Sequence, residues 1–128
     1  MALKIGLRPQ ERVVIAGAVI RNGGKRCELI IENRASILRE KDLMREQDAD
    51  TPCKRVYFAV QLAYLDPEKR GVHIECYRQQ ADEILAAAPS MKDYFTRMDE
   101  GLAEDDYYQA LRNCRDLIEY EKEVLSRV

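Results

Sequence analysis

The 128-residue sequence predicts an α+β protein, in which a small antiparallel β-sheet or barrel is followed by three or four helices. In residues 1–44, apolar residues alternate with polar ones or form short runs between turn residues, as in β-strands. From residue 51 onward, apolar residues return every three to four positions, as in helices. We therefore expect a strand part at residues 1–44 and a helical part at residues 51–128, joined by a solvated connection at residues 45–50.

The first strand is predicted at Leu3–Leu7, where apolar residues alternate with lysine and glycine, and Pro9 ends it because proline cannot donate to a ladder. The next run, Arg12–Arg21, is apolar on both faces. It fits either one central strand or two short strands around a corner, since Gly17 in its middle permits a sharp bend.

The strongest local turn signal is Asn22-Gly23-Gly24, because Asn-Gly supplies the positive φ angles of a tight hairpin. The strands on either side of it are therefore expected to pair antiparallel. The return strand is predicted at residues 25–32 and the last strand at residues 35–39. The residues expected in the core of this part are Ile15, Val19, Leu29 and Ile31.

The first helix is expected to begin at Thr51-Pro52, because the threonine hydroxyl can accept a free amide and proline suits the first helical position. It should end before Pro67, and a second helix should run from there to Pro89.

The last two helices are bounded by polar residues. Ser90 is expected to cap a short helix over residues 91–102. Asp105 and Asp106 predict the start of the final helix, since acidic residues are favoured at a helix N-terminus.

The residue types that catalysis or metal binding would require are sparse. The four cysteines are widely separated, His73 is the single histidine, and no glycine-rich phosphate loop follows a strand. We therefore expect neither an enzyme nor a cofactor or metal site. No apolar run approaches the ~20 residues of a membrane span and the N-terminus lacks secretory features, so a cytoplasmic protein without membrane contact is expected.

The net charge of −2 conceals an asymmetry between the two halves. Residues 1–58 hold 12 Lys and Arg against 8 Asp and Glu, whereas residues 59–128 hold 9 against 15. A basic strand-rich half and an acidic helical half suggest that an anion binds at one end and that the other end has a different use.

The stretch Glu32–Met44, ENRASILREKDLM, places an apolar pair directly before a charged segment, as an edge strand leaving a sheet does. Ile37 or Leu38 could anchor it while Arg39 and Lys41 extend toward an anionic partner. The alternative is an edge strand whose charges only prevent aggregation, with Arg39 paired to a nearby carboxylate such as Glu11 or Glu32.

Four blocks, in this order and spacing, resemble the FlbT family of flagellin-biosynthesis regulators over almost the whole chain. They are LKIGLRPQERVVIAGAVIRNGG, LIIENRASILREKDLM, TPCKRVYFAVQLAYLD and YYQALRNCRDLIEYE. The resemblance implies a post-transcriptional regulator that binds the 5′ leader of flagellin mRNA and alters its translation or stability, beside a second small regulator, FlaF. The alternative is a flagellar adaptor whose acidic helical half binds a protein partner, FlaF or flagellin, without direct RNA binding.

A weaker similarity links about the first 43 residues to the RNA-binding carbon-storage regulator CsrA, through the first strand, Glu11, a hairpin and ASILREKDL. In that family a last strand carrying an Arg-Glu pair lies beside the first strand and holds RNA. The match implies a CsrA-like sheet, assigns RNA gripping to Arg39 and leaves a homodimer open. The residues expected to bind RNA are Arg39, Lys41, Arg34, Lys4, Ile5 and Arg8.

Overall fold

Five strands precede four α-helices along residues 3–127, the part of the chain that the structure, a computed structural model, describes. The strands are β1 (Leu3–Leu7), β2 (Arg12–Ile15), β3 (Ala18–Arg21), β4 (Cys27–Ile31) and β5 (Ile37–Arg39). The helices are α1 (Pro52–Leu65), α2 (Arg70–Ala87), α3 (Lys92–Ala103) and α4 (Tyr107–Ser126). The predicted α+β class is confirmed.

The chain divides into two compact units, Met1–Leu43 and Met44–Val128, called here the sheet unit and the helical unit. The sheet unit contains two small antiparallel sheets, one formed by β1 and β4 and the other ordered β3-β2-β5. In the first sheet Ile5 lies opposite Leu29, and in the second Val14 lies between Val19 and Leu38.

The apolar run from residue 12 to residue 21 forms a hairpin and not one central strand. β2 and β3 pair antiparallel on either side of Ala16 and Gly17, whose φ angles are 51° and 83°. Two consecutive positive φ angles are what a two-residue hairpin turn requires. The prediction of two short strands around Gly17 is therefore confirmed, and the single-strand alternative is wrong.

The hairpin predicted at Asn22-Gly23-Gly24 is wrong, because β3 pairs with β2 whereas β4 pairs with β1. The side chain of Asn22 instead holds the connection between β3 and β4, which belong to different sheets. Its Nδ2 donates to the carbonyls of Leu7 (3.1 Å) and Lys25 (2.9 Å), and its Oδ1 accepts from the Gly24 N–H (3.1 Å).

The core of the sheet unit is built on Ile5, Leu7 and Val13, which are buried. The residues that pack against this cluster while remaining partly exposed are Ile15, Leu29, Ile31 and Ile37. The core assignment of Val19 is wrong, since its side chain is 68% exposed. Val14 and Leu38 lie on the same face as Val19 and are buried, but Val19 belongs to β3, the outer strand of its sheet, with β2 on one side only.

The start and end of α1 agree with the prediction. Thr51 Oγ1 accepts the Lys54 N–H at 3.2 Å, Pro52 occupies the first helical position, and the helix ends at Leu65. A single 3-10 turn at Pro67–Lys69 precedes α2.

The two predicted caps of the later helices had different outcomes. The start of α4 is confirmed, because Asp106 Oδ1 accepts the Gln109 N–H at 3.1 Å. The cap assigned to Ser90 is wrong: α3 has no side-chain cap, and Ser90 Oγ accepts the Tyr120 hydroxyl at 2.9 Å.

The helical unit has an extensive core. Its buried apolar residues include Val56, Tyr57, Val60, Ala63, Tyr77, Phe95, Met98, Leu111, Cys114 and Leu117. Buried Glu121 of α4 accepts hydrogen bonds from Thr51 Oγ1 (2.5 Å) and the Cys53 N–H (3.0 Å), which joins the end of α4 to the start of α1. Among the described helices, none is long and apolar enough to cross a membrane.

Candidate nucleic-acid interface

An open groove of about 330 Å³ in the sheet unit is lined mainly by charged side chains. The lining residues are Gly6, Arg8, Glu11, Arg26, Arg39, Glu40 and Lys41. Four cations stand against two carboxylates, so the groove has a formal charge of +2. A surface of this sign attracts polyanions such as RNA.

Arg39 enters the groove from the end of β5, which is an edge strand, as predicted. Leu38 beside it is 1% exposed and anchors the strand. The Nη2 of Arg39 donates to the carbonyl of Gly6 at 2.8 Å and lies 3.8 Å from Glu11 Oε2. Its Nε is buried and has no hydrogen-bond partner among the described residues.

Glu11 lies beside Arg39 in the groove and holds the backbone at Arg8. Its side chain is 9% exposed, and Oε1 accepts the Arg8 backbone N–H at 2.9 Å. This hydrogen bond lowers the pKa of the Glu11 carboxyl, and the positive charges of Arg8 and Arg39 lower it further, against the opposing effect of desolvation. Glu11 is therefore held ionised beside Arg39.

The sequence also fits an Arg39 that is only paired to a carboxylate such as Glu11, and the structure does place these two side chains together. The distance of 3.8 Å is long for a hydrogen bond, however, and Arg39 is 41% exposed, so this ion pair alone contributes little to stability. The guanidinium is positioned mainly by the Gly6 carbonyl, and its exposed part remains open to another acceptor.

The structure brings together three of the six residues predicted to bind RNA, namely Arg8, Arg39 and Lys41. Lys4 is exposed on β1 outside the groove, and Arg34 is exposed in the segment between β4 and β5. Ile5 is 3% exposed and belongs to the core, so its side chain is turned away from solvent.

The position of the last strand differs from the one that the CsrA resemblance implied. β5 pairs with β2 and not with β1. The side chain of Arg39 nevertheless reaches β1 through the carbonyl of Gly6, so contact with the first strand is made by a guanidinium and not by a backbone ladder.

Sequence reasoning missed Arg26 as a groove residue. The signal that could have identified it is the ladder between β1 and β4, in which Cys27 lies opposite Leu7 and therefore brings Arg26 near Arg8. That pairing was hidden by the hairpin predicted at Asn22-Gly23-Gly24. Glu40 was also not among the residues predicted to bind RNA; its Oε2 lies 3.5 Å from the backbone nitrogen of Arg12.

The helical unit has a separate, mainly apolar cavity of about 380 Å³ between α1, α2 and α4. Ile84, Met91 and Val124 form part of its wall, and Leu125 beside them is 56% exposed. No group of three or more potential metal ligands occurs among the residues that the structure describes.

Comparison with known proteins identifies the family. The model of the family described as "Flagellar protein FlbT" matches residues 3–125. The chain is 36% identical to the "Probable flagellum biosynthesis repressor protein FlbT" of Caulobacter sp. (strain K31), across 100% of this chain and 99% of that one. It is 36% identical to the "Flagellum biosynthesis repressor protein FlbT" of Caulobacter vibrioides, across 100% and 92% of the two chains.

A third relative is the "Probable flagellum biosynthesis repressor protein FlbT" of Rhodopseudomonas palustris, 37% identical across 99% of this chain and 100% of that one. No solved structure matches. The match of the family model to nearly the whole chain, together with these full-length relatives, shows that the chain belongs to the FlbT family of flagellar proteins.

Proposed function

We propose that this protein regulates flagellar synthesis after transcription by binding the 5′ leader of flagellin mRNA in the groove of the sheet unit. The relatives named as repressors of flagellum biosynthesis support the regulatory role. The observation that carries the RNA proposal is Arg39, whose side chain is 41% exposed in a groove with a formal charge of +2.

The chemistry of the groove suits a nucleotide better than an isolated phosphate. Arginine can present two donors in a plane to a guanine edge or to a phosphate, and Lys41 supplies a point charge for the backbone. Glu40, which is exposed, can accept a hydrogen bond from a base amino group, which a phosphate lacks.

The first test measures binding of the full chain to a flagellin leader RNA across a salt series. Arg39→Ala should weaken binding by about 1–3 kcal/mol, the range for a good bidentate contact. Arg39→Lys should restore only part of the loss, because it returns the charge but not the planar pair of donors. Lys41→Ala should reduce the magnitude of the salt slope by about 0.7, as expected for one lost phosphate contact on a single strand.

Arg112→Ala is the matched control, since it removes the same charge from an exposed position of α4. It should leave RNA affinity unchanged. Wild-type affinity in an Arg39→Ala protein with an unchanged melting temperature would overturn the proposed site. Equal losses in the Arg39→Ala and Arg112→Ala proteins would also overturn it, because only net charge would then matter.

A second candidate function is a protein adaptor that acts through the helical unit. The apolar cavity beside Leu125 favours it, because a largely exposed leucine at an apolar cavity is typical of a protein contact. In this case purified FlaF or flagellin should bind the full chain, Leu125→Lys should weaken that binding, and Arg39→Ala should not affect it. If neither protein binds, the adaptor candidate fails.

A further inference from the structure

One edge of the three-stranded sheet, β3, exposes apolar side chains at its centre. All four residues of β3 are exposed, and Val19 (68%) and Ile20 (37%) present apolar side chains on opposite faces. Natural edges are usually blocked by charges, proline, bulges or very short strands. β3 carries its one charge, Arg21, at its end and leaves its two central positions apolar, whereas β5 is only three residues long and ends in Arg39, which Glu40 and Lys41 follow.

The backbone of β3 also has groups available for pairing. Val13 and Ile20 are partners within the hairpin. The next hydrogen-bonded pair, two residues farther from the turn, is Glu11 and Asn22, in which the Asn22 N–H donates to the Glu11 carbonyl at 2.9 Å. Hydrogen-bonded and non-hydrogen-bonded pairs alternate in an antiparallel ladder. Val19 and Arg21 therefore direct their N–H and C=O groups away from β2, toward the open edge.

We propose that β3 pairs antiparallel with β3 of a second copy of this chain, so that the two three-stranded sheets join into one sheet of six strands. An antiparallel edge of this kind is self-complementary about a two-fold axis. The partner is a second copy because two identical β3 strands can be aligned so that the backbone N–H and C=O groups of Val19 and Arg21 that point away from β2 are all hydrogen-bonded. This alignment does not place like charges in contact.

Only pairings between outward-facing residues can form hydrogen bonds. Pairing Val19 with Arg21 of the second copy makes two such pairs and places Ile20 against its own copy at the axis. Pairing Arg21 with itself would bring two guanidinium groups together, which is unfavourable. In the favoured arrangement Ile20 extends the apolar face that carries Val13, and Val19 lies against the aliphatic stem of arginine.

The size of the sheet unit also favours such an association. Its buried apolar residues are few (Ile5, Leu7, Val13, Val14 and Leu38), while Leu3 and Ile30 are exposed apolar side chains in a unit of about 43 residues. Units this small commonly need an additional source of stability, and oligomerisation is one.

The experiment is sedimentation of the full chain over a series of protein concentrations, without RNA. The wild type should show a concentration-dependent dimer. Val19→Lys should raise the dimer dissociation constant by at least about tenfold, because two lysines in each dimer would then lie directly opposite arginines, and like charges opposite each other across a ladder are destabilising. Val19→Pro should do the same, since it removes an outward N–H while sparing the bonds to β2.

Val72→Lys is the matched control, because Val72 is 67% exposed but lies on α2 in the helical unit. It should leave the dissociation constant unchanged. A chain that is monomeric at every concentration overturns the proposal and leaves the β3 edge to a strand from another protein. A dimer that Val19→Lys does not weaken, or that Val72→Lys weakens equally, also overturns it.

Cysteine cross-linking tests the pairing itself. In a background with the exposed cysteines replaced, Cys27→Ser and Cys76→Ser, Ile20→Cys should form an intermolecular disulfide. Directly opposed residues of a non-hydrogen-bonded pair have Cα atoms about 4.5 Å apart, within disulfide range. Val19→Cys should cross-link poorly because it faces arginine and not its own copy. The reverse result would overturn this arrangement of the strands.

Discussion

The two units of this protein use their apolar residues differently. In the helical unit, large side chains such as Tyr57, Tyr77 and Phe95 are at most 2% exposed and lie between helices. In the sheet unit, Val19 and Ile30 are more than half exposed. We infer that the helical unit carries most of the fold's stability, whereas the sheet unit retains surface for binding, with the basic groove and the β3 edge as its two candidate contacts.

The largest expected effect on stability comes from the helical core. Phe95→Ala should reduce the free energy of unfolding by about 3–5 kcal/mol, because a buried phenylalanine is replaced by a cavity. Phe95 is 2% exposed, with its ring centroid 6.3 Å from that of Tyr77. Denaturant melts followed by helical circular dichroism measure the change. Tyr108→Ala, at a residue 50% exposed on α4, is the control and should cost less than about 1 kcal/mol.

A smaller effect is expected in the sheet unit. Leu29 pairs with Ile5 across the β1–β4 ladder but remains partly exposed, so Leu29→Ala should cost about 1–2 kcal/mol, less than full burial of a leucine contributes. Amide hydrogen exchange in β1 and β4 is the measurement. Ile30→Ala, at the exposed neighbouring position, should change exchange little. A loss as large as that for Phe95→Ala would contradict the difference between the units.

The smallest effect concerns pH and Glu11. The folded state lowers the pKa of this carboxyl below its ordinary value of 4.5, so the unfolded state binds the proton more readily. The stabilisation is therefore fully present above about pH 4.5 and is lost as the pH falls through the lowered pKa. Amide exchange in β1 and β2 at decreasing pH should reveal this loss.

Glu11→Gln should remove that acid dependence, because the amide still accepts the Arg8 N–H but carries no charge to titrate. Glu28→Gln, at an exposed position of β4, should keep the acid response of the wild type. If the two variants behave alike, the interaction of Glu11 with Arg8 and Arg39 contributes nothing to the stability of the sheet unit.

Local signals in the sequence determined the helical unit well. The change of period after residue 51, the Thr51-Pro52 start, Pro67 and the Asp106 cap each act within one or two helical turns. The interacting residues are a few positions apart in the chain, so a short stretch of sequence contains both members of each interaction. Ser90 failed because its hydroxyl bonds Tyr120, 30 residues distant.

Within the sheet unit, the sequence determined which residues form strands, the bend near Gly17 and the edge position of β5. The tertiary structure alone decided which strands pair, and hence that Arg26 joins Arg8 and Arg39 in one groove while Val19 is left exposed. The physical reason is that a strand satisfies its backbone hydrogen bonds with distant residues, and several partners fit the same alternation of side chains. Asn22 is an example: the Asn-Gly pair favours a hairpin turn, but the Asn22 side chain instead donates a hydrogen bond to the carbonyl of Leu7, 15 residues earlier in the chain.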